Sequence, residues 1–467
     1  MKRLKFATIF AAIAGLFVSS AVASEPALGS IMTKCNHVEW SRNAVIYEVN
    51  LRQGTEGRTF KSFTQEIPRL KELGVDILWL MPIHPISKVN RKGELGSYYA
   101  VADYKAVNPE FGTMDDFRHL VKTAHSYGMK VILDEVCNHT GCDHPWVKSN
   151  PDFYVRKNGK FTSPYDWTDT YKLNYNNAQM RHRMLDAMKF WVKELDVDGY
   201  RCDVAGEVPT EFWEEARREL EKIKPVFMLA EATKPELLIS AFDAHYNWPM
   251  KDLFNAIAAT KGINKYAIEK EQNLPKKDAL AIDSLLMTQS RQYPKGAINM
   301  NMITNHDLNS WEGTEFERYT DGVGAFAVLS YTLPGIPMMY TGQEVGFNHA
   351  FEFFKHDQTP DYTPNEWTEF YKRLNALKHN TPALDAGVKG QQWKRHLTSE
   401  RDIYAFTRQL GNSKIVVIVN LSNEKLPLTF KNNNMPDITG MSDYFGNKKA
   451  DLPKTLNPWE YKIYVKY

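Results

Sequence analysis

Short apolar runs alternate with longer segments of helical periodicity along most of the chain from Asn43 onward. Several of the runs are apolar at nearly every position, which is typical of parallel strands that are covered on both sides. Eight runs are candidate strands: AVIYEVN from Ala44, VDILWLMP from Val75, MKVILDEV from Met129, VDGYRCDV from Val197, PVFMLAE from Pro225, FDAHYN from Phe242, AINMNMIT from Ala297 and GIPMMYTG from Gly335. Eight strands separated by amphipathic helices predict an α/β fold, a (β/α)8 TIM barrel.

One interval interrupts this alternation. From His139 to about Asn176 the chain is rich in Pro, Asn, Gly, Asp and aromatic residues and has no clear period. Such a stretch predicts a long excursion after the third strand. Because excursions at that end of a barrel strand lie on the catalytic face of barrel enzymes, we expect this segment to border a site.

The pattern changes again after Pro382, where alternating apolar and polar residues replace the helical periods. Four short runs predict antiparallel strands: DIYAFTRQL, KIVVIVNLS, LPLTF and WEYKIYVKY. We therefore expect a catalytic barrel over residues 40–382, including an excursion over about 139–176, and a C-terminal β-sandwich over residues 383–467.

The N-terminal residues have the composition of a signal peptide. Lys2, Arg3 and Lys5 precede an apolar stretch that ends near the small triplet Ala21 to Ala23. This pattern predicts cleavage after residue 23 and export to the periplasm or the medium. The stretch is shorter than the roughly 20 residues that span a bilayer, so no membrane span is expected.

The charge balance excludes one class of partner. The chain has 58 Lys and Arg against 56 Asp and Glu, a formal net charge of +2, and no basic run for phosphate contacts. Nucleic acid is not an expected partner.

Four cysteines follow the predicted signal peptide: Cys35, Cys137, Cys142 and Cys202. Their spacing matches no zinc pattern. Cys137 and Cys142 are close enough in sequence to form a disulfide in an oxidising compartment, so a bridge between them is one expectation and free thiols are the alternative.

Titratable residues, accompanied by one asparagine, end four of the predicted strands, where barrel enzymes carry their catalytic groups. They are Asp134, Asn138 and His139 after the third, Arg201 and Asp203 at the fourth, Glu231 at the fifth, and His306 and Asp307 after the seventh. Singly, each has a structural explanation as an ion-pair partner or a helix cap. Four such ends on one face of a barrel favour a catalytic site.

Two of these carboxylates have the neighbours of a nucleophile and an acid. Strand alternation places Arg201 and Asp203 on the same face, so the guanidinium should keep Asp203 ionised. Glu231 follows four apolar residues, which should raise its pKa towards neutrality. Carboxyl groups with such opposite properties are what glycoside hydrolysis requires.

Four stretches resemble the signature regions of the α-amylase superfamily, glycoside hydrolase family 13. They are LDEVCNHT, DGYRCDVA, FMLAEATKP and MITNHDLNSW, in this order. LGSYYAVADYKAVNPEFGT and KLNYNN also resemble family segments, and the likeness extends over nearly the whole chain from Trp40. It implies retaining hydrolysis of α-1,4-glucosidic bonds in starch-derived glucans and maltooligosaccharides.

The resemblance also implies roles for individual residues. Asp203 would be the nucleophile, Glu231 the general acid/base, and Asp307 the carboxylate that stabilises the transition state. Arg201 would orient Asp203. Substrate-binding positions would be Tyr99 stacking under the sugar, His139 and His306 bonding its hydroxyls, and Asp134 and Asn138 shaping the base of the site.

The sequence departs from many starch-acting members of the family. They carry a Lys-His pair shortly after the nucleophile, where this chain has Gly206 and Glu207. This difference favours maltooligosaccharides over intact starch. Asn138 matches a frequent Ca²⁺ ligand position but has no clear cluster of oxygen partners, so no cofactor is expected to be required and a structural Ca²⁺ is left open.

Two rival functions are compatible with the motifs. A transglycosylase or isomerase would use the same three carboxylates but exclude water from the covalent intermediate. A non-catalytic relative would only bind glycans.

Overall fold

The computed structural model describes residues 28–467, and the predicted signal peptide lies outside them. Eight parallel strands form a closed barrel, in which β1 pairs with both β2 and β8. These strands are β1 (Ile46–Val49), β2 (Ile77–Leu80), β3 (Lys130–Glu135), β4 (Gly199–Cys202), β5 (Phe227–Ala230), β6 (Ala244–Tyr246), β7 (Ile298–Asn301) and β8 (Ile336–Tyr340). Each lies within one of the eight predicted runs, so the predicted barrel is confirmed.

The barrel has a packed interior. Side chains at alternate positions, among them Ile46, Trp79 and Leu229, form one buried cluster inside it. The other positions pack outward into the larger core beneath the helices. Since the interior is filled, a substrate can reach only the ends of the barrel.

The helices surround the barrel, and their starts follow the capping preferences of the sequence. The helix Met114–Ser126 begins after Thr113, whose side chain accepts from the backbone of Asp116 in a capping box. The helices are Phe60–Thr64, Ile67–Leu73, Met114–Ser126, Pro145–Ser149, Ala178–Glu194, Thr210–Glu221, Leu237–Ser240, Trp248–Thr260, Lys265–Glu269, Leu280–Gln292, His306–Trp311, Glu315–Tyr319, Val323–Thr332 and Glu366–Asn380. Within residues 28–467, no helix is both long and apolar enough to cross a membrane.

The predicted excursion after β3 is present as a small lobe of short strands. His139–Gly141 pairs antiparallel with Thr170–Lys172, and Arg156–Lys157 pairs with Lys160–Phe161. The helix Ala178–Glu194 then returns the chain to the barrel. Because its first strand begins at His139, the lobe starts immediately beside the end of β3.

Antiparallel strands follow the barrel, as predicted. Six of them form one sheet: Gln392–His396, Ile403–Leu410, Ser413–Asn420, Tyr461–Lys466, Ser442–Asp443 and Lys448–Lys449. A two-stranded sheet of Leu426–Pro427 and Thr455–Leu456 covers the apolar face formed by residues such as Ile403 and Val416. The strand Gln392–His396 was not predicted, because its sequence QWKRH lacks an apolar alternation.

The structure keeps both Cys137 and Cys142 as free thiols, so the expected disulfide is not formed. The strand His139–Gly141 separates them, and three extended residues span roughly 10 Å. Cα atoms more than about 7 Å apart cannot be bridged without movement of the backbone. Cys142 Sγ instead lies 3.6 Å from the carbonyl oxygen of Thr168.

Glu135, the last residue of β3, is a buried carboxyl group that points away from the barrel interior. Its side chain is fully buried and neither carboxyl oxygen has a hydrogen-bond partner. Burial, reinforced by the charge of Asp134, raises the pKa of Glu135 to about 8. The folded protein therefore holds this proton at neutral pH, whereas an exposed glutamate in the unfolded chain has lost it.

The stability of the protein is expected to depend on pH through Glu135. A carboxyl group whose pKa is raised by folding stabilises fully below its unfolded pKa, and that contribution is lost as pH rises through the folded pKa near 8. Relative to the wild type, Glu135→Gln should gain about 1 kcal/mol of unfolding free energy per pH unit between about pH 5 and 8. Denaturant unfolding of both proteins across this range measures the difference, with exposed Glu110→Gln as a control. A difference that does not change with pH would contradict the assignment.

Candidate active site

The carboxyl ends of four barrel strands bring the sequence-predicted residues together. Asp134 on β3 lies directly opposite Arg201 on β4 in the parallel register. Asp203 follows β4, Glu231 follows β5, and His306 and Asp307 open the helix after β7. The residues that the sequence places at strand ends thus share one end of the barrel.

Arg201 is the centre of this cluster and is fully buried. Its Nη1 donates to Asp134 Oδ1 at 2.7 Å and to Asp203 Oδ1 at 3.1 Å. Its Nη2 lies 2.9 Å from Glu231 Oε2 in an ion pair. One guanidinium therefore binds three carboxylates, which repays part of the cost of burying them. The Arg201 guanidinium also holds Asp203 and Glu231 close together, because each carboxyl group contacts a different one of its two terminal nitrogens.

Asp203 keeps one oxygen free. The residue is 7% exposed, and while Oδ1 accepts from Arg201, the buried Oδ2 has no hydrogen-bond partner. A buried carboxylate oxygen without a donor is costly, and it is also a better nucleophile than one that is held by hydrogen bonds. The arrangement leaves Oδ2 available for a reacting atom.

Glu231 is held by a strained turn of the backbone. The Val204 backbone N–H donates to Glu231 Oε2 at 2.8 Å. Val204 has a φ of 36°, a left-handed conformation that is costly for a β-branched residue. Strain of this kind persists where the surrounding structure requires it, often at functional sites. Here the turn directs an N–H at the carboxyl group of Glu231.

The two carboxyl groups do not differ in pKa as the sequence predicted. Burial raises the pKa of Asp203 to about 7, against the opposing charge of Arg201. Burial also raises the pKa of Glu231 to about 7, again opposed by Arg201. The expected contrast is absent because the same guanidinium contacts both groups and the same barrel end buries both. Because each carboxyl group raises the pKa of its neighbours, the two titrate as interacting groups near neutrality.

His306 and Tyr99 form the opposite wall. Their rings stack with centroids 5.5 Å apart, and Tyr99 Oη lies 2.8 Å from His306 Nε2. Tyr99 also donates to Asp134 Oδ2 at 3.2 Å. Asp307 Oδ2 lies 3.4 Å from His306 Nε2, and its side chain is partly exposed. The wall thus presents a partly exposed carboxylate and a stacked aromatic surface beside Arg201.

His139 and Asn138 lie where the lobe joins the barrel. The Nε2 atom of His139 is buried without a hydrogen-bond partner, its ring contacts Trp167, and burial lowers its pKa to about 3. A neutral imidazole with a free nitrogen suits a sugar hydroxyl. Asn138 Nδ2 lies 3.3 Å from His139 Nδ1.

Asn138 is the position at which the sequence left a structural Ca²⁺ open. Across residues 28–467, no three or more His, Cys, Asp or Glu side chains are grouped so that they could hold a metal ion. Ca²⁺ needs six to eight oxygen ligands, usually including carboxylates.

Three site residues were missed by the sequence analysis. Trp79 Nε1 donates to Asp134 Oδ2 at 3.2 Å, and Arg201 Nε donates to Tyr246 Oη at 3.0 Å. Glu48 on β1 binds His306. All three lie at inward-facing strand positions, so a polar or amphipathic residue on the inner face of a predicted barrel strand was the available signal.

Known proteins resemble this chain over most of its length. Residues 52–394 match the family described as Alpha amylase, catalytic domain. Alpha-amylase 3 of Dictyoglomus thermophilum is 27% identical, covering 85% of this chain and 87% of that protein. Neopullulanase 2 of Thermoactinomyces vulgaris is 26% identical, covering 90% of this chain and 77% of that protein.

A solved structure supports the same relationship. A maltogenic alpha-amylase from Thermotoga neapolitana superposes with a TM-score of 0.77 at 27% identity, covering 91% of this chain and 98% of that one. The family match covers well over half of the chain and includes β2 to β8 and all the strand-end residues described above. The chain therefore belongs to the family of α-amylase catalytic domains and is a glycoside hydrolase.

Proposed function

We propose that this protein is a retaining glycoside hydrolase that cleaves α-1,4-glucosidic bonds in maltooligosaccharides and other starch-derived glucans. The observation that carries the proposal is the pair of carboxyl groups on one guanidinium. Asp203 and Glu231 contact adjacent nitrogens of Arg201, and Asp203 keeps an unpartnered oxygen. A close pair of this kind suits double displacement, whereas an inverting pair is spaced to admit a water between the two groups.

The reaction proceeds in two displacements. Asp203 Oδ2 attacks the anomeric carbon while Glu231 gives its proton to the leaving glycosidic oxygen, so the C–O bond breaks as the glycosyl ester forms. Glu231, now a carboxylate, takes a proton from water, and the water oxygen displaces Asp203. Two inversions return the α configuration.

The remaining residues bind and orient the sugar in this proposal. Tyr99 stacks under the ring, while His139 Nε2 and His306 bond its hydroxyls. Asp307 is placed to strengthen its bonds to the sugar as positive charge develops in the transition state. Asp134 and Asn138 shape the base of the site, Asp134 through its contacts with Arg201 and Tyr99.

The leaving-group side is bordered by a bridge between the lobe and the loop after β4. Tyr165 Oη donates to Glu207 Oε1 at 2.9 Å, and Lys172 Nζ donates to Glu207 Oε2 at 3.1 Å. Burial, the Glu207 carboxylate and, to a smaller extent, the charge of Glu231 raise the pKa of Tyr165 to about 12. A side chain from the lobe thus restricts the path of a long glucan.

The enzyme is expected to hydrolyse maltoheptaose faster, per glycosidic bond, than amylose. In this proposal the bridge lies across the path of a polymer on the leaving side, so short chains should bind with less obstruction. Opening the bridge with Tyr165→Ala should lower this preference by several-fold. Tyr165→Phe removes only the hydroxyl, so it separates the effect of the ring from the effect of the hydrogen bond to Glu207. Reducing-end assays on both substrates measure the ratio. A higher wild-type rate per bond on amylose would contradict the prediction.

Product analysis separates hydrolysis from the rival reactions. Incubation with maltotriose and chromatography should yield glucose and maltose. Longer or rearranged oligosaccharides as the main products would favour a transglycosylase or isomerase, and unchanged maltotriose would favour a non-catalytic glycan-binding protein.

We also propose that the mature protein is exported and has two domains, a barrel over residues 40–382 and a β-sandwich over 383–467. The N-terminal composition supports export, and the change from parallel to antiparallel strands supports the boundary. Mass determination of the protein recovered from the periplasm or medium tests cleavage after residue 23.

A further inference from the structure

Glu48 is a buried carboxylate whose role the mechanism above leaves open. It lies near the end of β1, opposite Trp79 of β2 and Tyr340 of β8 in the barrel register. Its side chain is fully buried, and its neighbours on the inner faces of the strands are mostly apolar. Burying an ionised carboxylate is unfavourable unless a cation or several donors compensate it. Glu48 should therefore have a cation or several hydrogen-bond donors as its partners.

The partner of Glu48 is His306. The Nδ1 atom of His306 forms a short hydrogen bond with Glu48 Oε1, and the backbone N–H of His306 donates to Glu48 Oε2 at 3.2 Å. His306 is also the first residue of the helix His306–Trp311. One carboxylate thus holds both the ring and the unpaired N–H at the start of its helix, where the backbone favours negative charge.

These two bonds determine which way the imidazole faces. With Nδ1 bound to Glu48, Nε2 faces the substrate side, 2.8 Å from Tyr99 Oη and 3.4 Å from Asp307 Oδ2. A ring held on one nitrogen presents the other nitrogen in a fixed direction and tautomer. If the ring is neutral, Nε2 can only accept; if it is charged, Nε2 donates.

The groups around His306 favour the charged ring. Those that face it are Glu48 from β1, Tyr99 from the loop after β2, Asp134 from β3, Arg201 from β4 and Asp307 from its own helix. Burial opposes the charge, but Asp307 and Glu48 outweigh it and raise the pKa of His306 to about 9.

We propose that Glu48 is a positioning residue that holds His306 as an imidazolium, with its Nε2–H donated to Tyr99 Oη and its charge beside Asp307 at the substrate side. The proposal rests on the proposed function for the identity of the sugar, but the protonation state of His306 does not depend on it. A charged ring at this position would strengthen the hydrogen bond to Tyr99 Oη and attract the Asp307 carboxylate more strongly than a neutral ring. It would also supply a second cation, besides Arg201, among the carboxylates of the site.

The test compares Glu48→Gln with the wild type. Gln keeps an acceptor for the His306 backbone N–H but removes the charge. Glu135→Gln is the matched control, because it makes the same change in a buried carboxyl group that faces away from the site. Protein labelled with nitrogen-15 at histidine reports the protonation of both ring nitrogens, and the His306 signals are assigned by their loss in His306→Asn.

In the wild type and in Glu135→Gln, both His306 nitrogens should stay protonated through neutral pH. In Glu48→Gln the midpoint of the His306 titration should fall by at least about one pH unit. The kcat on maltotriose should fall by roughly 100-fold with little change in KM, since the lost interaction strengthens in the transition state. Glu48→Asp keeps the charge and should recover part of the lost kcat.

Two results would overturn the proposal. One is a wild-type His306 that loses its second proton below neutral pH, which requires no variant to fold. The other is an unchanged His306 midpoint and kcat in Glu48→Gln. A charged His306 in a protein that cleaves no glucan would instead overturn the proposed function and support the role of Glu48.

Discussion

Replacing Asp203 by Ala is expected to abolish turnover of every α-glucan, with a loss in kcat of about five orders of magnitude or more. Without the carboxylate no glycosyl ester can form, and Ala offers no other nucleophile. The fold should survive, because Arg201 keeps its contacts with Asp134 and Glu231. Single-turnover and steady-state rates on maltotriose, together with the thermal unfolding curve, measure both expectations.

A matched control is Asp186→Ala, which removes an exposed carboxylate from the outer helix Ala178–Glu194 and should leave kcat unchanged. Activity of Asp203→Ala within 100-fold of the wild type would contradict the assignment of the nucleophile.

Replacing Glu231 by Gln is expected to produce a loss that depends on the leaving group. On maltotriose kcat should fall by about 10³- to 10⁴-fold, because the glycosidic oxygen must leave unprotonated. On α-glucosyl fluoride the first step should be reduced far less, since fluoride needs little protonation. The amide keeps an oxygen that can accept from the Val204 N–H, so the local geometry should persist.

Pre-steady-state release of fluoride and of glucose separates the two steps. If Glu231→Gln slows the first step equally on maltotriose and on α-glucosyl fluoride, this residue does not act as the acid.

The barrel could be predicted because its strands leave a strong local signal. Parallel strands buried on both faces are continuous apolar runs, and all eight predicted runs contain a barrel strand. The short strands after the barrel were harder to predict from the sequence. Leu426–Pro427 occupies only two residues of the predicted run LPLTF, and Gln392–His396 has no apolar alternation at all.

Site residues could be predicted where a single strand end shows them together in the sequence. They were missed where the contact joins segments that are distant in sequence. Asp203 and Arg201 are two residues apart on β4, so alternation alone places them together. Glu48 and His306 are 258 residues apart, and only closure of the barrel brings them into contact. No local pattern in the sequence could reveal that pair.

The predicted difference in pKa between Asp203 and Glu231 failed for a related reason. The sequence assigned Arg201 to Asp203 alone, because those two residues are neighbours. In the folded protein the guanidinium reaches across to β5 and contacts Glu231 as well. The predicted disulfide failed because closeness in sequence was taken for closeness in space, although an extended strand separates Cys137 from Cys142.

The stereochemistry of the first product distinguishes double displacement from a single displacement. If Asp203 and Glu231 perform two successive displacements, an α-linked substrate must release an α-configured reducing end. Proton NMR of maltotriose cleavage, recorded within the first minutes and before mutarotation, resolves the two anomeric signals. We expect the α-anomer of the new reducing end to appear first and the β-anomer to grow in later at the rate of spontaneous mutarotation. Appearance of the β-anomer first would contradict it.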